Sequence, residues 1–349
     1  VTVQPSIGSL RRPARTDIVM DHLNDTISLV MEQKKQLREL FSAPIDLPAL
    51  VRRLEKPKGP VDVVIDTDAY NEIDDQYAIS YLVKKSDKLK LQALYAAPFF
   101  NDKSTGPEDG MEKSYQEILK LLKLMGRSDL SEKVYRGSVR YLPSETEPVQ
   151  SDAAKDLAER AMGYTPEKPL YVVAIGAITN VASALLLNPE IRDRIVVVWL
   201  GGNAHEWEHC IEFNLIQDVA AARVLFGCGA AVVQLPCMGV VSTFTVSGPE
   251  LEKWFQGKNE LCDYLCSYSC SEGERESRYK NNWTRVIWDV TTVGWLADGD
   301  FMNDCLKPSP IPEHDGYYAF SSSRHPIRYV NSIHRDALIA DLVKTLTEA

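Results

Sequence analysis

Five short apolar runs mark the middle of the chain: VDVVIDT (61–67), LQALYAA (91–97), PLYVVAIG (169–176), RIVVVWLGG (194–202) and AAVVQLP (230–236). Each is rich in Val, Leu or Ala along most of its length, not on alternate positions alone, as strands buried on both faces are. Between them lie amphipathic stretches with helical spacing, such as MEKSYQEILKLLKLM (111–125), SDAAKDLAERAM (151–162) and ITNVASALLL (178–187). Buried strands alternating with helices predict an α/β fold, with a mostly parallel central sheet flanked by helices. No internal repeat, low-complexity tract or linker interrupts the pattern after residue 60, so one domain is expected there despite the 349-residue length.

The N-terminal part reads differently. Residues 1–15 carry Pro and Arg and are expected to be loose, and TDIVMDHLNDTISLVMEQKKQLRELF (16–41) has helical periodicity with Thr16 as N-cap. LPALVRRLE (47–55) suggests a further short helix, ended by KPKGP (56–60). The expected organisation is a helical extension over 1–58 and the α/β domain over 59–349.

Net charge is −10 with no long basic cluster, which disfavours a nucleic-acid partner. No apolar run is long enough to cross a bilayer, and the N-terminus lacks the apolar core of a signal peptide, so no membrane association is expected. The seven cysteines include no C-x-x-C pair. Cys262, Cys266 and Cys270 recur every four residues in CDYLCSYSC, which fits one helix face better than a metal cluster. A reducing cytoplasm is the expected compartment.

Ligands of open parallel sheets sit beyond the carboxyl ends of the strands. The first run leads into DTDAYNEIDD, the second into PFFND, the third into GAITN and the fourth into GGNAHEWEHCIEFN. DTDAYNEIDD places Asp66, Asp68, Asp74 and Asp75 within ten residues. Asp74 or Asp75 alone could simply open the next helix. Four carboxylates at one strand end repel one another unless protons or a cation compensate. With no thiolate or imidazole nearby, a hard oxygen-preferring ion, Ca²⁺ or Mg²⁺, fits better than zinc. A strand followed by D-x-D also resembles the entry of haloacid-dehalogenase-type phosphotransferases, with Asp66 as nucleophile and Asp68 as acid/base.

HEWEH (205–209) matches the H-E-x-x-H pattern of zinc peptidases. It begins three residues after Gly202, where a loop is expected and not a long helix. Glu212 and Leu215 stand where the metzincin extension needs Gly and His. Zinc chemistry is therefore not expected.

Four separated segments, in order, resemble the inosine–uridine-preferring nucleoside hydrolases, which are calcium-dependent N-ribohydrolases. DTDAYNEIDD resembles that family's D-x-D-P-G-x-D-D loop, lengthened by two residues. AIGAITNVASAL resembles its T-G-P-L-T-N turn, VVVWLGGN…EFNLIQDVAAARVLF its M-G-G…E-F-N-x-x-x-D-P-x-A-A segment, and VIWDVTTVGWL its H-D-P helix. The resemblance implies a Rossmann-like core and hydrolysis of ribonucleosides to ribose and free base.

Carried over residue by residue, it makes Asp68 both calcium ligand and general base. Asp75, Asp289 and the backbone carbonyl of Ile175 become further Ca²⁺ ligands. Asp74 becomes the contact of the ribose 2′-hydroxyl, Glu212 and Asn214 those of the 3′ and 5′ side, and Asn101 a further substrate contact. The family's loop asparagine has no clean counterpart; His205, Glu206 and Asn203 are the candidates for its role. Trp288 stands where uridine-cleaving members carry a histidine, and purine-specific members stack a tryptophan there, so purine or purine-like substrates are expected. Family members are commonly dimers or tetramers, which makes a homodimer or homotetramer the expectation here. A non-catalytic nucleoside-binding protein is the other functional class to weigh, and the full set Asp68, Asp75 and Asp289 argues against it.

Overall fold

The computed structural model describes residues 15–279, 282–297 and 299–348. The chain divides into two compact units between Ser42 and Ala43. In the first, α1 (Arg15–Leu40) is one continuous helix. Its described part runs from Arg15, so Thr16 lies inside it and is not its N-cap, whereas the stretch 1–14 lies outside the described residues.

The second unit, from Ala43, takes in a short helix before the first strand. Helix α2 (Leu47–Arg53) is N-capped by Asp46, whose side chain accepts from the Ala49 N–H at 3.0 Å. Its Leu50, with Leu54 just beyond its end, is fully buried, and Arg53 pairs with Asp193 at 3.0 Å. Burial of two leucines in the core ties this helix to the α/β unit, which short-range periodicity could not reveal.

Six strands follow the expected runs or lie between them: β1 (Val61–Thr67), β2 (Leu89–Ala96), β3 (Val134–Arg136), β4 (Leu170–Ala174), β5 (Ile195–Leu200) and β6 (Ala231–Leu235). A small antiparallel pair, β7 (Thr245–Ser247) with β8 (Thr284–Val286), stands apart, as does β10 (Ile311–Pro312) with β11 (Tyr318–Ala319). Two C-terminal strands, β9 (Met302–Pro308) and β12 (Pro326–Ile333), complete an eight-stranded sheet in the order β3-β2-β1-β4-β5-β6-β12-β9. Every neighbouring pair is parallel except β12 with β9 at the edge. The residues of β4, β5 and β6 are buried throughout, which accounts for their unbroken apolar sequences.

Helices α3 (Asp75–Lys84) and α4 (Pro107–Leu124) connect the strands on the β1-β2-β3 side, while α5 (Asp152–Arg160), α6 (Thr179–Leu187), α7 (Phe213–Gln217) and α8 (Val219–Gly227) occur around β4, β5 and β6. From β1 the chain steps outward through α3 to β2; from β4 it steps the opposite way through α6 to β5. Right-handed crossovers in opposite directions place α3 and α6 on opposite faces. Later come α9 (Gly248–Phe255), α10 (Glu260–Glu276), α11 (Val290–Leu296) and α12 (Arg335–Thr347), with α11 and α12 packing on α3. Cys262 and Cys266 on α10 are buried, as one apolar helix face requires, and Cys270 is partly so. The order reverses between β1 and β4, and the loops that leave their carboxyl ends diverge to open a crevice.

Among the described residues no helix is long and apolar enough to cross a membrane.

Candidate active site

The loop after β1 is turned back on itself by the Asn71 N–H, which donates to the Asp68 carbonyl at 2.7 Å, and it re-enters helix at Asp75. Asp68, Asp74 and Asp75 are all buried by this turn, at 1%, 3% and 1% exposure. Asp289, just before α11, is 3% exposed and completes the group. Asp74, Asp75 and Asp289 each bring a carboxylate oxygen to within 4.8 Å of the other two. These three, not the triad Asp68–Asp75–Asp289, form the tightest carboxylate group among the described residues. Asp68 lines the same cavity, and its Oδ2 is buried without a hydrogen-bond partner.

Burial, then Asp75 and Asp74, push the Asp68 carboxyl well above the usual carboxylate range. Burial does the same to Asp74, reinforced by Glu72 and Asp75, and to Asp289, reinforced by Asp74 and Asp75. Asp75 is pushed up to about 7, mainly by burial and against the hydrogen bond from Thr67. Such a group is costly to ionise unless a cation is bound. Its donors are all oxygen, which suits a hard divalent ion.

The cavity, of about 230 Å³, is lined in addition by Ile175, Asn203, Glu212, Asn214 and Trp288. Gly176 next to Ile175 lies close to the acid: a Cβ there would lie 3.1 Å from Ala97 Cβ and 3.2 Å from Asp68 Cγ, tighter than ordinary contact. Glu212 N-caps α7, accepting from the Asn214 and Leu215 N–H groups at 2.9 and 3.1 Å. It also accepts from Gly202 N–H at 2.8 Å, where Gly202 adopts φ +71° and bends the chain out of β5. Burial raises its carboxyl above the ordinary value.

Two expected site residues lie elsewhere. Asn101 is absent from the cavity wall and donates from Nδ2 to Asn71 Oδ1 at 2.6 Å; Asn71 holds the wall position. His205 is packed against Tyr318, Phe320 and Tyr329, with its Nε2 3.0 Å from Gln234 Oε1. Burial lowers its pKa to about 4, so it is held neutral behind the pocket. Of the loop candidates only Asn203 reaches the cavity; Glu206 pairs with Lys307 at 2.7 Å. HEWEH forms turns, not helix, and so cannot present two imidazoles on one helical face.

Asp66 also faces away from the cavity. Its Oδ1 accepts from Asn180 Nδ2 at 2.7 Å, which ties β1 to α6, and burial pushes its carboxyl up to about 7. That placement removes the nucleophile required by the phosphotransferase reading. Asn71, Glu72, Cys237 and Met238 line the cavity without having been expected there. Cys237 and Met238 follow β6, so the strand-end rule could have found them.

The inosine-uridine preferring nucleoside hydrolase model matches residues 63–314. A curated relative, the pyrimidine-specific ribonucleoside hydrolase RihA of Citrobacter koseri, is 26% identical over 217 residues, which are 53% of this chain and 66% of the relative. Among solved structures, a plant nucleoside hydrolase superposes with TM-score 0.65 at 18% identity, covering 83% of this chain and all of that one, 100%. The purine-preferring ribonucleoside hydrolase from Gardnerella vaginalis gives 0.64 at 17%, covering 82% and 98%. Since the matched segment runs from inside β1 past Asp289 and so spans the whole carboxylate crevice, the chain belongs to the inosine-uridine preferring nucleoside hydrolase family.

Proposed function

We propose that this protein hydrolyses the N-glycosidic bond of ribonucleosides, releasing ribose and a free base. The observation that carries the reading is the buried, unpartnered Oδ2 of Asp68 beside the oxygen-only cluster of Asp74, Asp75 and Asp289, in a chain of this family. Asp68, Asp75 and Asp289, with the Ile175 carbonyl, would hold a Ca²⁺ ion. When bound, that ion supplies Lewis acidity to water and to the ribose diol and offsets the clustered negative charge.

Asp68 is the general base: its free oxygen takes the proton of the attacking water. Asp74 accepts from the ribose 2′-hydroxyl, and Glu212 and Asn214 hold the 3′ and 5′ side. The surrounding carboxylates stabilise the positive charge that develops on the sugar as the bond to the base breaks. Trp288 offers its ring face to the base. The relatives point in two directions, one named pyrimidine-specific and one purine-preferring, so the base preference rests on Trp288: purines present more stacking area. A cytoplasmic homodimer or homotetramer belongs to the same proposal.

The test is a panel of ribonucleosides incubated with and without chelator. Free base should appear with purine nucleosides first, disappear on chelation and return with added calcium. No release from any ribonucleoside would reject the reading.

A further inference from the structure

Among the described residues six carboxyl side chains reach the cavity wall: Asp68, Glu72, Asp74, Asp75, Glu212 and Asp289. Ionised carboxylates only accept hydrogen bonds, whereas each ribose hydroxyl oxygen carries lone pairs that need donors. The pocket is thus rich in acceptors, and its donors decide how a sugar is held.

Some of those donors are committed elsewhere. Asn203 Nδ2 donates to the carbonyls of His209 and Ile211 at 3.2 and 3.0 Å, and one of the two Asn214 Nδ2 hydrogens goes to that of Leu200 at 3.0 Å, which leaves the other for the sugar's 3′ and 5′ side. Burial, then the neighbouring Glu212, push the Cys237 thiol well above its ordinary value. The Trp288 indole belongs to the base side.

Asn71 differs. The backbone N–H of Lys103 can only donate, and it donates to Asn101 Oδ1 at 2.9 Å. This fixes Asn101 Nδ2 as the donor across the 2.6 Å contact and Asn71 Oδ1 as its acceptor. The amide nitrogen of Asn71 is left with both hydrogens uncommitted among the described residues, on a side chain only 8% exposed that lines the cavity. Asn71 belongs to the lengthened part of the loop, between Asp68 and Asp74.

We propose that Asn71 is a substrate-binding residue, its amide donating to the 2′- or 3′-hydroxyl oxygen of the ribose. Asn101 is the positioning residue that orients it from behind. The inference rests on the ribonucleoside reading above, and it places Asn101, expected as a substrate contact, behind the residue that touches the sugar.

The experiment compares the unchanged protein with Asn71→Ala, Asn101→Ala and the double variant, on inosine, 2′-deoxyinosine and 3′-deoxyinosine, with melting temperature as a control for folding. Asn71→Ala should lower kcat/KM on inosine by about tenfold or more, mainly through KM, at an unchanged melting temperature. The loss should vanish on whichever deoxynucleoside lacks the contacted hydroxyl. Asn101→Ala should show a smaller loss, and the double variant should be no worse than Asn71→Ala. An unchanged KM, an equal loss on all three substrates, or additive losses overturns the proposal while leaving the hydrolase reading intact. If the unchanged protein cleaves no nucleoside, the hydrolase reading fails. Calorimetric titration with inosine then decides on Asn71: weaker binding by Asn71→Ala supports it, and equal affinity or no binding overturns it.

Discussion

Thr67 Oγ1 lies 2.5 Å from Asp75 Oδ1 and donates its hydrogen to it, linking the last residue of β1 to the first residue of α3. The bond favours the ionised form of a carboxyl that burial would otherwise keep protonated. Thr67→Val keeps the shape and removes the donor. Calcium affinity of that variant, read by calorimetry at pH 7, should fall by about tenfold or more, the usual cost of losing a group that orients a metal ligand. Unaltered affinity would show that Thr67 does not tune Asp75.

Protonation sets a second expectation. Burial pushes Asp66 and Asp75 from about 3.8 up to about 7, so the native state holds protons that the unfolded chain has released. Their contribution to stability is therefore complete below about pH 4 and is lost as pH rises through about 7. Chelated protein should melt at progressively lower temperature between these limits. A calcium ion held as proposed would bind the ionised cluster, so the gap between calcium-loaded and chelated melting curves should widen towards pH 8. A gap independent of pH would contradict the assignment of the cluster to a cation.

Asp68→Asn keeps the size of the side chain and removes the proposed base. Turnover should drop by at least about 100- to 1000-fold. Melting temperature should hold or rise, because one of several mutually repelling carboxyls has gone. Stopped assays for free base give the first quantity and calorimetry the second; near-normal hydrolysis would take Asp68 out of the mechanism.

Trp288→Ala removes the stacking face. Aromatic stacking on a base is worth ~1–3 kcal/mol, so purine kcat/KM should fall by roughly tenfold or more while calcium affinity is unchanged. The unchanged protein should cleave inosine and adenosine faster than uridine. Equal or faster uridine cleavage would return Trp288 to a packing role.

The strands were legible because β4, β5 and β6 are buried on both faces, which leaves unbroken apolar runs that flanking helices and turns bracket. The carboxylates were legible because Asp68 and the Asp74–Asp75 pair lie directly beyond such a strand. Side-chain direction in irregular backbone was not. Asn71 and Asn101 carry the same side chain, and only the folded loops put Asn71 on the cavity wall with Asn101 hydrogen-bonded to it. His205 lies two residues from Asn203, yet one packs against three aromatic rings and the other lines the pocket. Loops have no periodicity from which such a choice could be read. The place of α2 in the second unit was hidden for a related reason: burial of Leu50 and Leu54 depends on partners far along the chain.

Asp74 and Asp289 sit in one carboxylate cluster although 215 residues separate them, and the Asp289 N–H points at Asp74 Oδ2 across 3.4 Å. Contacts between segments so distant form late, because a very long loop must close before they gain anything. During synthesis the loop after β1 leaves the ribosome long before α11 exists, and for that interval Asp68, Asp74 and Asp75 have no Asp289 to close the ring. A truncated or still-growing chain should therefore collapse around its strands without acquiring a high-affinity cation site. Cation capture would then report completion of the fold, and its delayed appearance in refolding would time the docking of α11 onto α3.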